Sequence, residues 1–409
     1  VQWAKGLGGT GADIVYALGA TSDGGCVVGG YFSSTSIDFG NGVSLTNKSG
    51  GDGWIAKYSS NGQIEWAKGT GNSSVRSING TGDGGCVVGG YFYADGISLD
   101  NGVSLASKGN YDGMILKYSN SGKIESVLGV GGAYYDQIES VVECSDGGYI
   151  VGGIFKSSLD LGNGITLSSK GNTDGFIIKY NSIGEAEWAQ AVGNEDDEYI
   201  TSVAECSDGG YIVGGNFHSS SIDLGNGIIL INKSGSSFYS EGMIIKYSNI
   251  GEVEWAKQIG EIRGHSIQSV VETSDGGYIA HGWFESSSVD LGNGITLTNK
   301  GSYDAMLIKF NSNREVEWAK GIGGSNIDYM QSVAECSDKG YIIGCWLGSS
   351  SIDLGNGITL TGKGSYDGSV IKYNSNGEVE WAKQIGGTGE DQITSVAQCS
   401  DGGYIAGGY

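Results

Sequence analysis

The chain has 409 residues, 77 of them glycine and none proline, and a formal net charge of −23 at pH 7. So acidic a surface repels phosphate backbones and anionic lipid, which excludes nucleic acid and leaves other proteins, copies of the chain, neutral glycans or cations as partners. No stretch has the unbroken apolar length of a spanning helix, which excludes membrane insertion through one.

In chain order, "VQWAKGLGGT" is no signal peptide and reads as an interior segment of a longer or processed product, with any targeting segment outside this chain. The phrase "SDGGCVVGGYF" then runs from Ser22 to Phe32 and returns as "SDGGYIVGGIF" (Ser145 to Phe155) and "SDGGYIVGGNF" (Ser207 to Phe217). Tryptophan keeps time with it. Trp3, Trp66, Trp188, Trp255, Trp318 and Trp381, with Ser126 in the one gap, are spaced 63, 60, 62, 67, 63 and 63 residues apart. Units therefore run over about 9–71, 72–131, 132–193, 194–260, 261–323 and 324–386, with a split unit made of 1–8 and 387–409. Such periodic units share one continuous core, so 1–409 reads as a single domain.

Each unit holds four predicted strands. "EGMIIKYS" (Glu241–Ser248) is a third strand, and after a tight turn "EVEWAKQIG" (Glu252–Gly260) is a fourth, with Val253, Trp255 and Lys257 alternating against Glu254 and Ala256. "SSSIDLGNGITLTGKGSY" (Ser349–Tyr366) adds a short hairpin at the rim between second and third strands. "DQITSVAQCS" (Asp391–Ser400) is a first strand, and "GYIAGGY" (Gly403–Tyr409) a second. Asp-Gly, Asn-Gly and Gly-Gly pairs mark the reversals, because such turns need positive φ. A small-residue inner strand and a Trp-bearing outer strand fit an all-β β-propeller blade, where sheets converge on the axis and diverge at the rim. The split unit predicts seven four-stranded blades, the last shared between the two termini.

The order D-x-I-x-S-V-x-x-x-S-D-G-G-Y-I-V-G-G-Y-F, followed by D-G-x-I-I-K-Y and G-x-x-x-W-A, resembles the bacterial SBBP-type β-propeller repeat over essentially the whole chain. The resemblance implies blades of the kind found in large surface or secreted proteins, hence an extracellular or cell-surface location, and it brings no catalytic residues. Ser126 in place of Trp, Arg314 in place of a turn glycine, and His281 and Cys345 in place of strand glycines depart from it.

Seven cysteines is an odd count, and Cys144, Cys206, Cys336 and Cys399 share one repeat position while Cys26 and Cys86 share another. Equivalent positions of successive units lie too far apart for a disulfide, so buried free thiols are expected.

Chemistry is sparse. His218, His265 and His281 occupy unrelated repeat positions, and no metal-binding, phosphate-binding or nucleophile motif appears, so no catalytic residue and no metal site are assigned. Asp38, Asp160, Asp223, Asp290 and Asp353 precede Gly-Asn-Gly turns. One carboxylate per turn falls short of the about six to eight oxygens Ca²⁺ takes, so these read as turn caps, with Ca²⁺ the alternative and no cofactor expected. Asp52, Asp112, Asp174, Asp304 and Asp367, with Glu241, open third strands and read likewise as turn residues. Glu143, Glu205, Glu272 and Glu335 end first strands, with Gln398 at the same register, and could gather at one mouth of the central channel. The loops entering the first strands vary most and place Tyr134, Tyr135, Glu195, Asp196, Asp197, Glu198, Tyr199, Arg263 and His265 on one candidate binding face.

Together these features predict a non-enzymatic β-propeller serving as a structural, adhesive or self-assembling protein module. A glycan- or ligand-binding module using the variable face is the alternative. A quinoprotein-like enzyme comes third, since nothing breaks the repeat to supply a cofactor site.

Overall fold

The computed structural model describes residues 1–99, 102–260 and 263–409. Six four-stranded antiparallel sheets follow one another along the chain, each a blade in which consecutive strands are neighbours. In blade three the order is Asp136–Glu143, Tyr149–Phe155, Asp174–Tyr180 and Ala186–Val192, with the rim hairpin Ser158–Asp160 and Thr166–Ser168 inserted between second and third strands. The first strands of blades one to six are Asp13–Ala20, Ser73–Gly80, Asp136–Glu143, Glu198–Glu205, His265–Glu272 and Asp328–Glu335, and each touches the next.

The blade count corrects the sequence-based expectation of seven. Six blades are complete, and the last sector holds only the two-stranded hairpin Ile393–Gln398 and Tyr404–Gly408. Val1–Gly8 forms no strand. The reason is local: among the described residues no third strand pairs with either piece, and an outer strand cannot form without a neighbour for its amides. The hairpin nevertheless closes the circle. The Val396 amide donates to Ser332 Oγ at 3.1 Å on one side, and the Leu18 amide to Ser395 Oγ at 3.3 Å on the other.

The twin glycines of the repeated phrase have separate jobs. A Cβ on Gly152 would lie 2.6–2.7 Å from Val203 and Ile200 of the next blade, so this glycine sets blade-to-blade distance. A Cβ on Gly153 would collide with the Gln137 carbonyl of its own first strand. Larger side chains would push the sheets apart.

Outer-strand tryptophans fasten each blade to its successor. Trp66 stacks on Tyr118 at 5.9 Å and donates its indole N–H to the Asn120 carbonyl at 2.9 Å. Trp188 treats Tyr247 and Asn249 the same way. Where Ser126 replaces Trp, Leu128 takes over, its methyl groups lying about 3 Å from where a Gly184 Cβ would sit. Arg314 adopts φ 68° in the turn glycine's place and lays its guanidinium 5.6 Å over the Trp255 ring.

Third strands are buried on both faces, and most carry a buried lysine. Lys179 bonds Asp146 at 2.7 Å in its own blade's inner turn and Glu187 at 3.3 Å on the outer strand. Lys246, Lys309 and Lys372 repeat this with Asp208, Asp275 and Asp338. All seven cysteines are free, and six are buried.

Candidate functional site

The inner strands share one irregularity. Each is bulged at the same place, and the extra residues are Tyr16, Arg76, Glu139, Thr201, Gln268, Gln331 and Thr394. A bulge leaves its residue outside the ladder and re-aims the side chain. The packing residues to either side barely vary, while the bulged ones range over Tyr, Arg, Glu, Thr and Gln.

In blades one to three the bulges build a cation held among rings. The Arg76 guanidinium lies 4.5 Å over Tyr16 and 5.4 Å over Tyr91. Burial works against its charge, but Glu139 on the next bulge and the two phenols outweigh that and raise the Arg76 pKa. Burial raises Glu139, with Arg76 opposing. Tyr91, Tyr93 and Tyr111 pack together at 4.8–5.7 Å, and Tyr111 reaches Tyr135 at 5.0 Å.

A second cluster occupies blades five and six. Trp283 meets Tyr303 at 5.2 Å, Tyr303 stacks on Tyr329 at 6.0 Å, Tyr329 meets Trp346 at 4.7 Å, and Trp346 meets Tyr366 at 4.6 Å. All five rings are partly exposed. The Trp346 indole nitrogen is buried and has no hydrogen-bond partner among the described residues. Burial pushes the Tyr329 phenol up to about 12, so it stays a neutral donor near pH 7. Both clusters sit level with the loops that enter the first strands, where Tyr111 bridges to Tyr135, Tyr303 to Ile327 and Tyr366 to Glu390.

The residues anticipated on this face fall into two groups. Tyr134 and Tyr135 are exposed, at 47% and 43%, and Tyr199 is half-buried against His218. Glu195 accepts a bond from Ser220 Oγ at 2.6 Å, the Asp196 amide donates to Ser219 Oγ, and Asp197 accepts from Asn172. Exposed Arg263 comes within 3.9 Å of Glu285. Glu198 and His265 do not reach the face. Both are buried at the start of a first strand, where Asp136 and Asp328 stand in other blades and clamp the entering loop. Glu198 accepts the Asn194 and Ser219 amides at 2.9 Å, and His265 Nε2 lies 2.8 Å from Ser286 Oγ. Burial brings His265 down to about 4, a neutral loop-holder and no ligand for solvent.

The strand-end glutamates serve as clasps between blades. Glu205 accepts the amide and hydroxyl of Ser145 in the preceding blade, both at 2.8 Å, and Glu335 does the same for Ser274. Glu272 takes the Ser207 amide at 2.6 Å, and Glu143 pairs with Lys117 at 2.9 Å. Their lone pairs are committed to neighbours rather than turned together. Asp38, Asp160, Asp223, Asp290 and Asp353 each accept the amide of the glycine two residues on at 2.8–3.0 Å. Among the described residues, no three His, Cys, Asp or Glu side chains converge as a metal-holding group.

The residues that sequence reasoning missed were Tyr16, Arg76, Tyr91, Tyr111, Trp283, Tyr303, Tyr329, Trp346 and Tyr366. A signal existed. In "G-G-x-F" the x is Tyr31, Tyr91, Ile154 and Asn216 within a constant frame, and Trp283 and Trp346 hold the same place in blades five and six.

No family model matches the chain. It is 23% identical over 338 residues to the regulatory protein FlaEY of Caulobacter vibrioides, a match covering 76% of this chain and 34% of that protein. The chain thus spans about a third of the length of the curated relative it matches. Among solved structures, the Dos1 propeller resembles it with a TM-score of 0.47 at 11% identity, over 96% of this chain and 89% of that one. Sqt1 from Chaetomium thermophilum gives 0.47 at 9% identity, over 97% and 94%. A protein of unknown function from Dyadobacter fermentans gives 0.43 at 10% identity, over 88% and 94%. The all-β propeller architecture rests on the sheets themselves.

Proposed function

We propose that the protein is a non-enzymatic interaction module that holds a partner protein on the aromatic face of blades five and six. One observation carries the reading: Trp283, Tyr303, Tyr329, Trp346 and Tyr366 form a continuous, partly exposed ring cluster. Large, rigid aromatic side chains dominate binding energy at protein interfaces, because they bury much area at little entropic cost. The relative FlaEY is named a regulatory protein, and a binding role for this chain is compatible with that name. An extracellular or cell-surface placement belongs to the same proposal and rests on the SBBP-type resemblance. Exposed Tyr134 and Tyr135 favour a second reading, a neutral glycan stacked on the opposite sector.

The test is a screen of a displayed peptide library and a glycan array, using the wild-type chain and Trp283→Ala/Trp346→Ala. Peptides retained by the wild type and released at least about tenfold faster by the double variant support the proposal. Peptides indifferent to the double substitution overturn it, and glycans lost on Tyr134→Ala/Tyr135→Ala would put the second reading in its place.

A further inference from the structure

The rings of blade five stand beside a carboxylate whose inner oxygen is uncommitted. Trp283 lies nearly perpendicular to Tyr303 and Tyr329, at 84° and 86°, while those two phenols are parallel to within 21° and 6.0 Å apart. Glu285 follows Trp283 by two residues, so both side chains leave the chain on one face. Gly264 shows how close they come, because a Cβ there would meet Glu285 Oε2 at 3.1 Å and the Trp283 ring at 3.2 Å. Among the described residues the only ion-pair partner of Glu285 is exposed Arg263, which approaches Oε1 no nearer than 3.9 Å. The charge also reaches the phenols. Burial and then Glu285 raise the Tyr303 pKa, and Glu285 adds to burial, Tyr303 and Tyr366 in raising Tyr329.

Blades one to three show what such a group holds. There Tyr91 takes the repeat position of Trp283, and the Arg76 guanidinium lies 5.4 Å over its ring and 4.5 Å over Tyr16, with Glu139 on the next bulge as counter-charge. The bulge that supplies Arg76 in blade two supplies neutral Gln268 in blade five and Gln331 in blade six. Among the described residues the cation–ring contacts all fall on rings outside this cluster. The position of Glu285 is Ser33, Tyr93, Lys156, His218 and Gly348 in the other blades, so the carboxylate belongs to blade five alone. Rings and counter-charge are in place there, and the cation is not.

We infer that the partner protein held on this face presents an arginine, whose guanidinium lies against Trp283 and donates to Glu285 Oε2. The inference rests on the aromatic-face reading and adds the chemistry that the face selects. Arginine suits the place better than lysine, because its planar, weakly hydrated guanidinium stacks on a ring while its N–H groups meet a carboxylate. A net charge of −23 draws basic partners toward the chain. Arg263 is 58% exposed, so giving up its long contact with Glu285 costs little.

The probe is acetyl-Gly-Arg-Gly-amide, with the citrulline peptide as its neutral isostere. Each is titrated into the intact chain while the Trp283 indole signal, assigned through Trp283→Phe, is followed by nuclear magnetic resonance. The arginine peptide should bind about fivefold tighter than the citrulline one, an advantage that fades in about 1 M salt and that Glu285→Gln abolishes. A circular-dichroism melt checks that this isosteric variant is folded. Equal affinity for the two peptides, an arginine preference that survives Glu285→Gln, or no shift up to about 20 mM peptide overturns the inference. A lysine peptide that binds tighter than the arginine one overturns it in favour of an ammonium group. Tryptophan-dependent library peptides that lack a basic residue overturn it while the aromatic-face reading stands, and tryptophan-independent ones overturn both.

Discussion

Trp66, Ser126 and Leu128 provide a graded test of how the blades are fastened. Trp66 is 9% exposed, stacked on Tyr118 and bonded to the Asn120 carbonyl, so Trp66→Ala removes packing and a hydrogen bond together. Truncating a buried tryptophan costs about 3–5 kcal/mol, and losing its hydrogen bond adds about 1 kcal/mol. In blade two the same position is Ser126, and Leu128 packs over the Gly184 turn instead. Ser126→Ala should therefore stay within about 0.5 kcal/mol of wild type, while half-buried Leu128→Ala should cost about 1–2 kcal/mol. Equilibrium urea unfolding followed by circular dichroism reads all three on one scale. A Trp66→Ala cost below about 1 kcal/mol, or a neutral Leu128→Ala, would refute the idea that outer-strand side chains carry the blade-to-blade packing.

Two further outcomes concern charge. Burial would raise Asp275, but the bond from Lys309, with Thr273 and the Gly277 amide, outweighs it and holds the carboxyl at about 2. Its side chain is 48% exposed, so after discounting for solvent the Asp275→Asn variant should lose about 1 kcal/mol near pH 7. A depressed carboxylate stabilises above its unfolded pKa and loses that effect as pH falls through the folded value. The gap between wild type and Asp275→Asn should accordingly close between about pH 4 and pH 2 in urea titrations, and a gap unchanged at about pH 2.5 would contradict the assignment. His281 is fully buried in a second strand, and burial brings it from 6.5 to about 3. The unfolded chain binds this proton first, so stability drains away as pH falls below the unfolded value. From about pH 7 to pH 5 wild type should lose about 2 kcal/mol more than His281→Ala, and parallel losses would show the ring is not held neutral.

Much of the architecture was legible because its causes are local. Val253, Trp255 and Lys257 alternate, Asp-Gly and Gly-Asn-Gly pairs fix the reversals, and the observed strands Val253–Ile259 and Tyr404–Gly408 fall within the segments those signals marked. The blade count was not legible in the same way. Val1–Gly8 and the last hairpin read as halves of one sheet, yet among the described residues no strand joins them, and pairing needs a neighbour. The site was legible only in its exposed loop tyrosines. A bulge is a relation of register between two strands, so nothing in "SSVRSING" alone marks Arg76 as the residue outside the ladder. His265 misled because its loop is polar. Set beside Asp136, Glu198 and Asp328, it takes the place of a buried carboxylate.

The seven bulges also divide the inner strands between two tasks. Residues that hold neighbouring blades together alternate with a single residue per blade that holds nothing in the ladder, as Val75 and Ser77 flank Arg76. The bulged residue is thus free of its own sheet's pairing and turns to the neighbour instead, as Thr201 and Thr394 donate to the Ile267 and Val15 carbonyls of the adjoining sheet, like links that join one hoop to the next.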